Sequence, residues 1–106
     1  MVKQQIDEAM NVQINQKIIE YFKDKPAVKK VYIFGSYARN EETPKSDVDI
    51  LVDLDPEARV GGFQFGGMLE DLKDILFKDV DLLTRGSISK YILPYVENDK
   101  ILIYEK

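Results

Sequence analysis

Apolar residues recur every fourth position at the start of the chain, at Ile6, Met10, Ile14, Ile18 and Phe22, and Ile19 with Tyr21 widens the stripe. That spacing predicts an amphipathic helix over about residues 4–23. It ends at Lys25-Pro26, because proline offers no N–H to a helix ladder. Residues 30–34 are mostly apolar and read as a short strand running into Gly35. Residues 36–40 suit one or two helical turns, and 41–45, with Pro44, a polar loop. From 46 to 54 the pattern alternates: Val48, Ile50, Val52 and Leu54 leave one face of a strand, and Asp47, Asp49, Leu51 and Asp53 the other. Residues 55–67 hold Pro56 and four of the six glycines and read as a loop. Leu69, Leu72, Ile75 and Leu76 then predict a helix from Met68 to about Phe77. A third strand follows over 79–84, and a helix over about 87–98 that is interrupted or restarted at Pro94. A short edge strand over 101–104 completes the chain. Strands alternating with helices define an α/β (α+β) class, a small mixed β-sheet flanked by helices. Strand order is not legible in the pattern.

The 106 residues fit one domain spanning 1–106. No cysteine and no histidine is present, which removes disulfides, thiolate metal sites and imidazole bases. The site chemistry must therefore come from carboxylates, lysine, arginine, tyrosine and serine. Fifteen basic against 19 acidic residues give a net charge of −4, which argues against general nucleic-acid binding. The local cluster Lys23, Lys25, Lys29 and Lys30 reads as a solvated helix end. The first twenty residues lack a signal-peptide core, and nothing approaches a membrane-spanning length. A cytoplasmic enzyme is the expectation.

The carboxylates break the local rules. Aspartate is poorly suited to a strand interior, yet Asp47 and Asp49 share one face of an otherwise apolar strand. At an effective dielectric of 20, like charges about 7 Å apart repel by roughly 2 kcal/mol. A divalent cation would convert that repulsion into binding energy. A lone Asp-x-Asp is ordinarily a solvent-facing strand and nothing more. Here Gly35-Ser36 precedes it by ten residues, and Asp79 and Asp81 offer a third carboxylate on a later strand. Either could serve. Asp81 is preferred, because Leu82-Leu83 follows it as Ile50-Leu51 follows Asp49. Asp53 and Asp55, at the strand end, are expected to serve solvation and turn chemistry.

Gly35 permits a tight turn and close backbone approach, and Ser36 supplies a hydroxyl and an N–H at a helix start, where anions are favoured. Arg39, one turn on, could reach a phosphate or brace a carboxylate on the neighbouring strand. Ser46 could cap its turn, the preferred role, or touch a triphosphate. Tyr37 reads as packing or a partner contact. The stretch 60–67, with Phe63 and Phe65, reads as a loop packed onto the core or, alternatively, as a mobile lid.

Together, Gly35-Ser36, Ala38-Arg39, Asp47-Val48-Asp49 and Val80-Asp81-Leu82 resemble the minimal nucleotidyltransferases of the DNA polymerase β-like superfamily, over about residues 30–84. One departure is Asn40, where many members carry a second glycine. The resemblance implies Mg²⁺-dependent transfer of a nucleoside monophosphate, AMP from ATP, to a hydroxyl, with two ions bound and Mn²⁺ as a substitute. By the same resemblance, Asp47, Asp49 and Asp81 are the metal and catalytic residues, with Asp81 helping to deprotonate the acceptor. Gly35, Ser36, Arg39 and Ser46 form the nucleotide-binding set. Small members of the superfamily are often encoded beside an all-helical HEPN-type toxin and act as its antitoxin by adenylylating a tyrosine. Two alternatives compete with that expectation. One is a module that neutralises a partner by contact alone. The other is a transferase acting on a small molecule or an RNA end. Homo-oligomerisation is left open.

Overall fold

The computed structural model describes the backbone of residues 2–106 and the side chains of residues 12–106. Helix α1 (Val2–Phe22) presents Ile14, Ile18 and Phe22 as a buried stripe; Ile6 and Met10 of the same periodicity lie outside the described side chains. Strand β1 (Val28–Phe34) leads into the single turn α2 (Gly35–Ala38), and β2 (Val48–Leu54) follows. Helix α3 (Gly62–Leu76) crosses over to β3 (Val80–Thr84), a 3₁₀ turn spans Arg85–Ser87, and α4 (Leu93–Asp99) precedes β4 (Ile101–Glu105). No described helix is long and apolar enough to cross a membrane.

The sheet runs in the order β3-β2-β1-β4. Strand β1 is antiparallel to both β2 and β4, whereas β2 and β3 are parallel. The expected mixed sheet and the expected edge strand are both present. A parallel pair cannot be joined by a tight turn, and α3 supplies the crossover. One face of the sheet (Val31, Ile33, Val48, Ile50, Val52, Val80 and Leu82) packs against α1 and against Met68, Leu72 and Leu76 of α3. The opposite face carries Tyr32, Phe34 and Leu51, and Val96 of α4 packs on them. Seven-residue α4 covers only part of that face. The remainder, at the Asp49 end of β2, stays open.

Two boundaries differ from the sequence expectation for identifiable reasons, and a third agrees with it. Helix α3 begins at Gly62 rather than Met68, so the last part of the expected loop, 62–67, is helical. Each glycine costs about 1 kcal/mol relative to alanine in a helix, but Phe65 packs against the core in phase with Met68, Leu69 and Leu72, and that burial prevails. Phe63, in contrast, is 99% exposed and packs on nothing. The last helix is interrupted, as expected. It restarts at Leu93 with Pro94 in its first turn, where a missing N–H is harmless. Finally, β2 begins at Val48, leaving Asp47 one residue outside the strand.

Candidate active site

Phe34, the last residue of β1, pairs across the sheet with Asp49. The chain must then turn sharply over that carboxylate, and Gly35 does so with φ of 71°. Glycine is required twice here. Left-handed backbone disfavours any side chain, and a Cβ would collide with Asp49 Oδ2 and lie 3.1 Å from its Cγ. Tyr37, 2% exposed, anchors the turn in the core, the first of its two expected roles. Arg39 N donates to Gly35 O at 3.1 Å and Glu41 N to Ser36 O at 2.9 Å, closing the turn. Asn40 then takes φ of 56°. Asparagine is among the few residues that enter the left-handed region readily, so this turn forms without a glycine at that position.

The carboxylates come together through the parallel pairing. Asp49 and Asp81 are register partners on adjacent strands, and Asp47 lies two residues before Asp49. Burial, followed by Asp81 and Asp47, pushes the Asp49 carboxyl up to about 6, with Arg39 opposing them. Asp79 is not in register with Asp49. Its backbone carbonyl instead accepts Val48 N–H at 3.0 Å, which leaves Asp81 as the carboxylate next to Asp49. No three acidic groups among the described residues close into a ready-made metal cage. That is consistent with Mg²⁺, which binds through one or two carboxylates plus substrate phosphates and keeps several waters. The donor set of hard oxygens and the mutual repulsion at Asp49 both fit such an ion.

Arg39 braces a carboxylate, but not on the neighbouring strand that was expected. Its Nη1 donates to Asp99 Oδ2 at 2.5 Å and its Nε to Glu41 Oε2 at 3.4 Å, so it braces a carboxylate on α4 rather than one on the neighbouring strand. It remains close enough to Asp49 to draw that carboxyl's pKa down. Ser46 takes the capping role: its Oγ accepts Thr43 N–H at 2.8 Å.

Asp53 corrects the expectation of mere solvation. It accepts from Arg85 Nε at 2.8 Å and from the Tyr32 hydroxyl at 3.0 Å. Burial raises its pKa, but the bonds from Arg85 and Tyr32 outweigh that and hold it below the usual carboxylate range. Arg85 also pairs with Glu97, and Glu97 with Lys100 at 2.6 Å. The network ties α4 to the sheet and thereby places Asp99 over Arg39. Only the shared face of Asp49 and Asp53 hinted at it in the sequence. Asp55 does serve the turn, accepting Glu57 N–H at 3.0 Å.

This arrangement of turn, strand pair and carboxylates is that of a nucleotidyltransferase. Residues 16–103 match the nucleotidyltransferase domain family, and the chain belongs to it. A relative from Methanocaldococcus jannaschii, named "Putative protein adenylyltransferase", is 38% identical over 92 residues, which is 86% of this chain and 92% of the relative. The protein adenylyltransferase MntA of Thermococcus cleftensis is 33% identical over 76 residues, 72% of this chain and 75% of that protein. Among solved structures, a chain of a toxin–antitoxin complex with AMP-PNP superposes with a TM-score of 0.74 at 26% identity, covering 87% of this chain and 73% of that one. A complex of a tri-AMPylated Shewanella oneidensis HEPN toxin with its MNT antitoxin gives 0.70 at 24% identity, covering 91% and 73%; at that identity the likeness concerns the fold.

Proposed function

We propose that this nucleotidyltransferase moves AMP from ATP, with Mg²⁺, onto a tyrosine hydroxyl of a helical HEPN-type partner, and so acts as its antitoxin. The observation that carries the chemistry is the in-register pair Asp49 and Asp81 on the open part of the sheet, with Gly35 folded against Asp49. The names of the relatives and the complexes formed by the structural neighbours support the protein acceptor and the partner.

In this reading the Gly35-Ser36 backbone and the Ser36 hydroxyl hold the triphosphate, and Asp47 and Asp49 hold the metal. When bound, Mg²⁺ neutralises charge on the attacking and leaving oxygens. Asp81 accepts the acceptor's proton as the new O–P bond forms at the α-phosphorus and the bond to pyrophosphate breaks. No histidine is needed, because a carboxylate beside the metal takes the proton. Arg39, held by Asp99, adds positive charge next to the phosphates. Ser46 shapes the loop that delivers Asp47.

The chemistry is tested with labelled ATP and a HEPN-type partner protein. Label at the α-phosphorus is expected to appear on the partner with release of pyrophosphate, and label at the γ-phosphorus is expected to stay off it. Retention of the γ-label would indicate phosphoryl transfer and would overturn the assignment.

A further inference from the structure

Helix α4 is seven residues long, has no side-chain cap at its N-terminus and buries only Val96. A helix that short does not hold its shape alone, so its anchors decide where Asp99 stands. One anchor is Val96, packed on Tyr32, Phe34 and Leu51. The other lies toward the opposite end of β2 from the Gly35 turn, where Asp53 pairs with Lys30 of β1. There Arg85 Nε and Nη2 grip the two Asp53 oxygens at 2.8 and 3.3 Å, a forked pairing that fixes a guanidinium in its plane. Tyr32 backs the pair: its hydroxyl donates to Asp53, and Arg85 stands over its ring, 5.5 Å from the centroid. The remaining nitrogen, Nη1, donates to Glu97 of α4.

Two residues beyond Glu97, Asp99 accepts from Arg39 Nη1 at 2.5 Å, while Glu41 takes Arg39 Nε at 3.4 Å. Arg39 Nη2 makes no hydrogen bond to any described residue, so its two N–H groups are left for a ligand. An exposed arginine carries large rotamer freedom, and losing that freedom on binding costs affinity. Held beforehand at two nitrogens, Arg39 has already lost most of it. Neither Arg85 nor Glu97 hydrogen-bonds to the Gly35 turn or to the Asp49–Asp81 pair.

We propose that Arg85 and Glu97 are positioning residues for nucleotide binding: they fix α4 on the sheet so that Asp99 presets Arg39, leaving Nη2 to the phosphates. The proposal rests on the transfer reading above and deepens it, because it makes a pair outside the site set the affinity inside it. Arg85 serves this role better than lysine would, since one planar group must bind Asp53 with two nitrogens and Glu97 with the third.

A double-mutant cycle tests the relay. AMP-PNP with Mg²⁺ is titrated calorimetrically into wild type, Glu97→Ala, Arg39→Gln and Arg39→Gln/Glu97→Ala, all well below the lowest melting temperature of the four. Glu97→Ala is the variant of choice because it leaves Asp53 paired with Arg85. Glu97→Ala is expected to weaken binding about fivefold, within the range for one immobilised side chain, and Arg39→Gln about tenfold. With Arg39 already replaced, Glu97→Ala should add nothing, since both changes act through one guanidinium. An equal loss from Glu97→Ala in both backgrounds would mark a purely structural role and overturn the proposal. So would unchanged affinity in Glu97→Ala or Arg39→Gln, or tighter binding by Glu97→Ala, which would mean that Asp99 withholds Arg39 from the phosphates. Each of these leaves the transfer reading intact. A wild-type protein that binds no AMP-PNP would overturn both.

Discussion

Asp49→Asn is expected to melt about 5–10 °C above wild type near pH 7 without metal, and to lose at least about a thousandfold in nucleotide transfer. The gain follows from the position of the carboxylate. Burial, Asp81 and Asp47 hold its pKa up to about 6, so the folded chain retains a proton that the unfolded chain has released. Stability therefore falls as pH rises from about 4, the unfolded value, through about 6. For a fully enclosed group that displacement corresponds to about 3 kcal/mol; half-exposure to solvent reduces it to about 1–2 kcal/mol. Asparagine removes the charge and its repulsion at all pH values. The difference between variant and wild type should consequently vanish below about pH 4, where Asp49 is protonated in both folded and unfolded chains. The loss of transfer follows from the removal of a metal ligand. Thermal melts across pH, with and without Mg²⁺, check both halves. Equal melting temperatures at neutral pH, or an advantage that persists undiminished in acid, would contradict the electrostatic account.

Gly35→Ala is expected to damage both stability and activity. A residue with a Cβ at φ 71° carries a left-handed penalty of about 1–2 kcal/mol, and its collision with the Asp49 carboxylate adds overpacking of about 1–3 kcal/mol. Relief requires Asp49 to move, and a catalytic group displaced by about 1 Å costs on the order of a hundredfold in rate. Circular dichroism melts should show a loss of about 2–5 kcal/mol, a large part of the stability of a chain this size. Transfer should fall further than the lost folded fraction explains. Wild-type rates from Gly35→Ala would mean that the turn does not position Asp49.

Much of the site was legible because it violates local propensity. Aspartates in the apolar strand β2 and a glycine at the end of β1 stand out against what those elements otherwise require, and the structure folds Gly35 against Asp49 and pairs Asp49 with Asp81. Strand order was not legible, since alternation reports faces and not neighbours; only the pairing of β2 with β3 shows why Asp81, rather than Asp79, meets Asp49. The start of α3 was hidden because glycine count was weighed as local propensity, while the deciding term was the burial of Phe65 against a distant core. The partners of Arg39 and Asp53 were hidden for a related reason. Asp99 and Arg85 lie 60 and 32 residues away in sequence, and no periodicity encodes such pairs. Asn40 was conspicuous as a departure from the family pattern, yet its left-handed backbone lets the turn form without a glycine there.

Whether catalysis or contact silences the partner is decided by comparing wild type with Asp47→Asn/Asp49→Asn. Each is co-expressed with a helical HEPN-type partner, and partner toxicity and the mass of the purified partner are measured. The account predicts that wild type restores growth and leaves the partner carrying adenylate, while the double variant still folds but leaves the partner unmodified and toxic. Full silencing of an unmodified partner by the double variant would contradict it and establish neutralisation by contact.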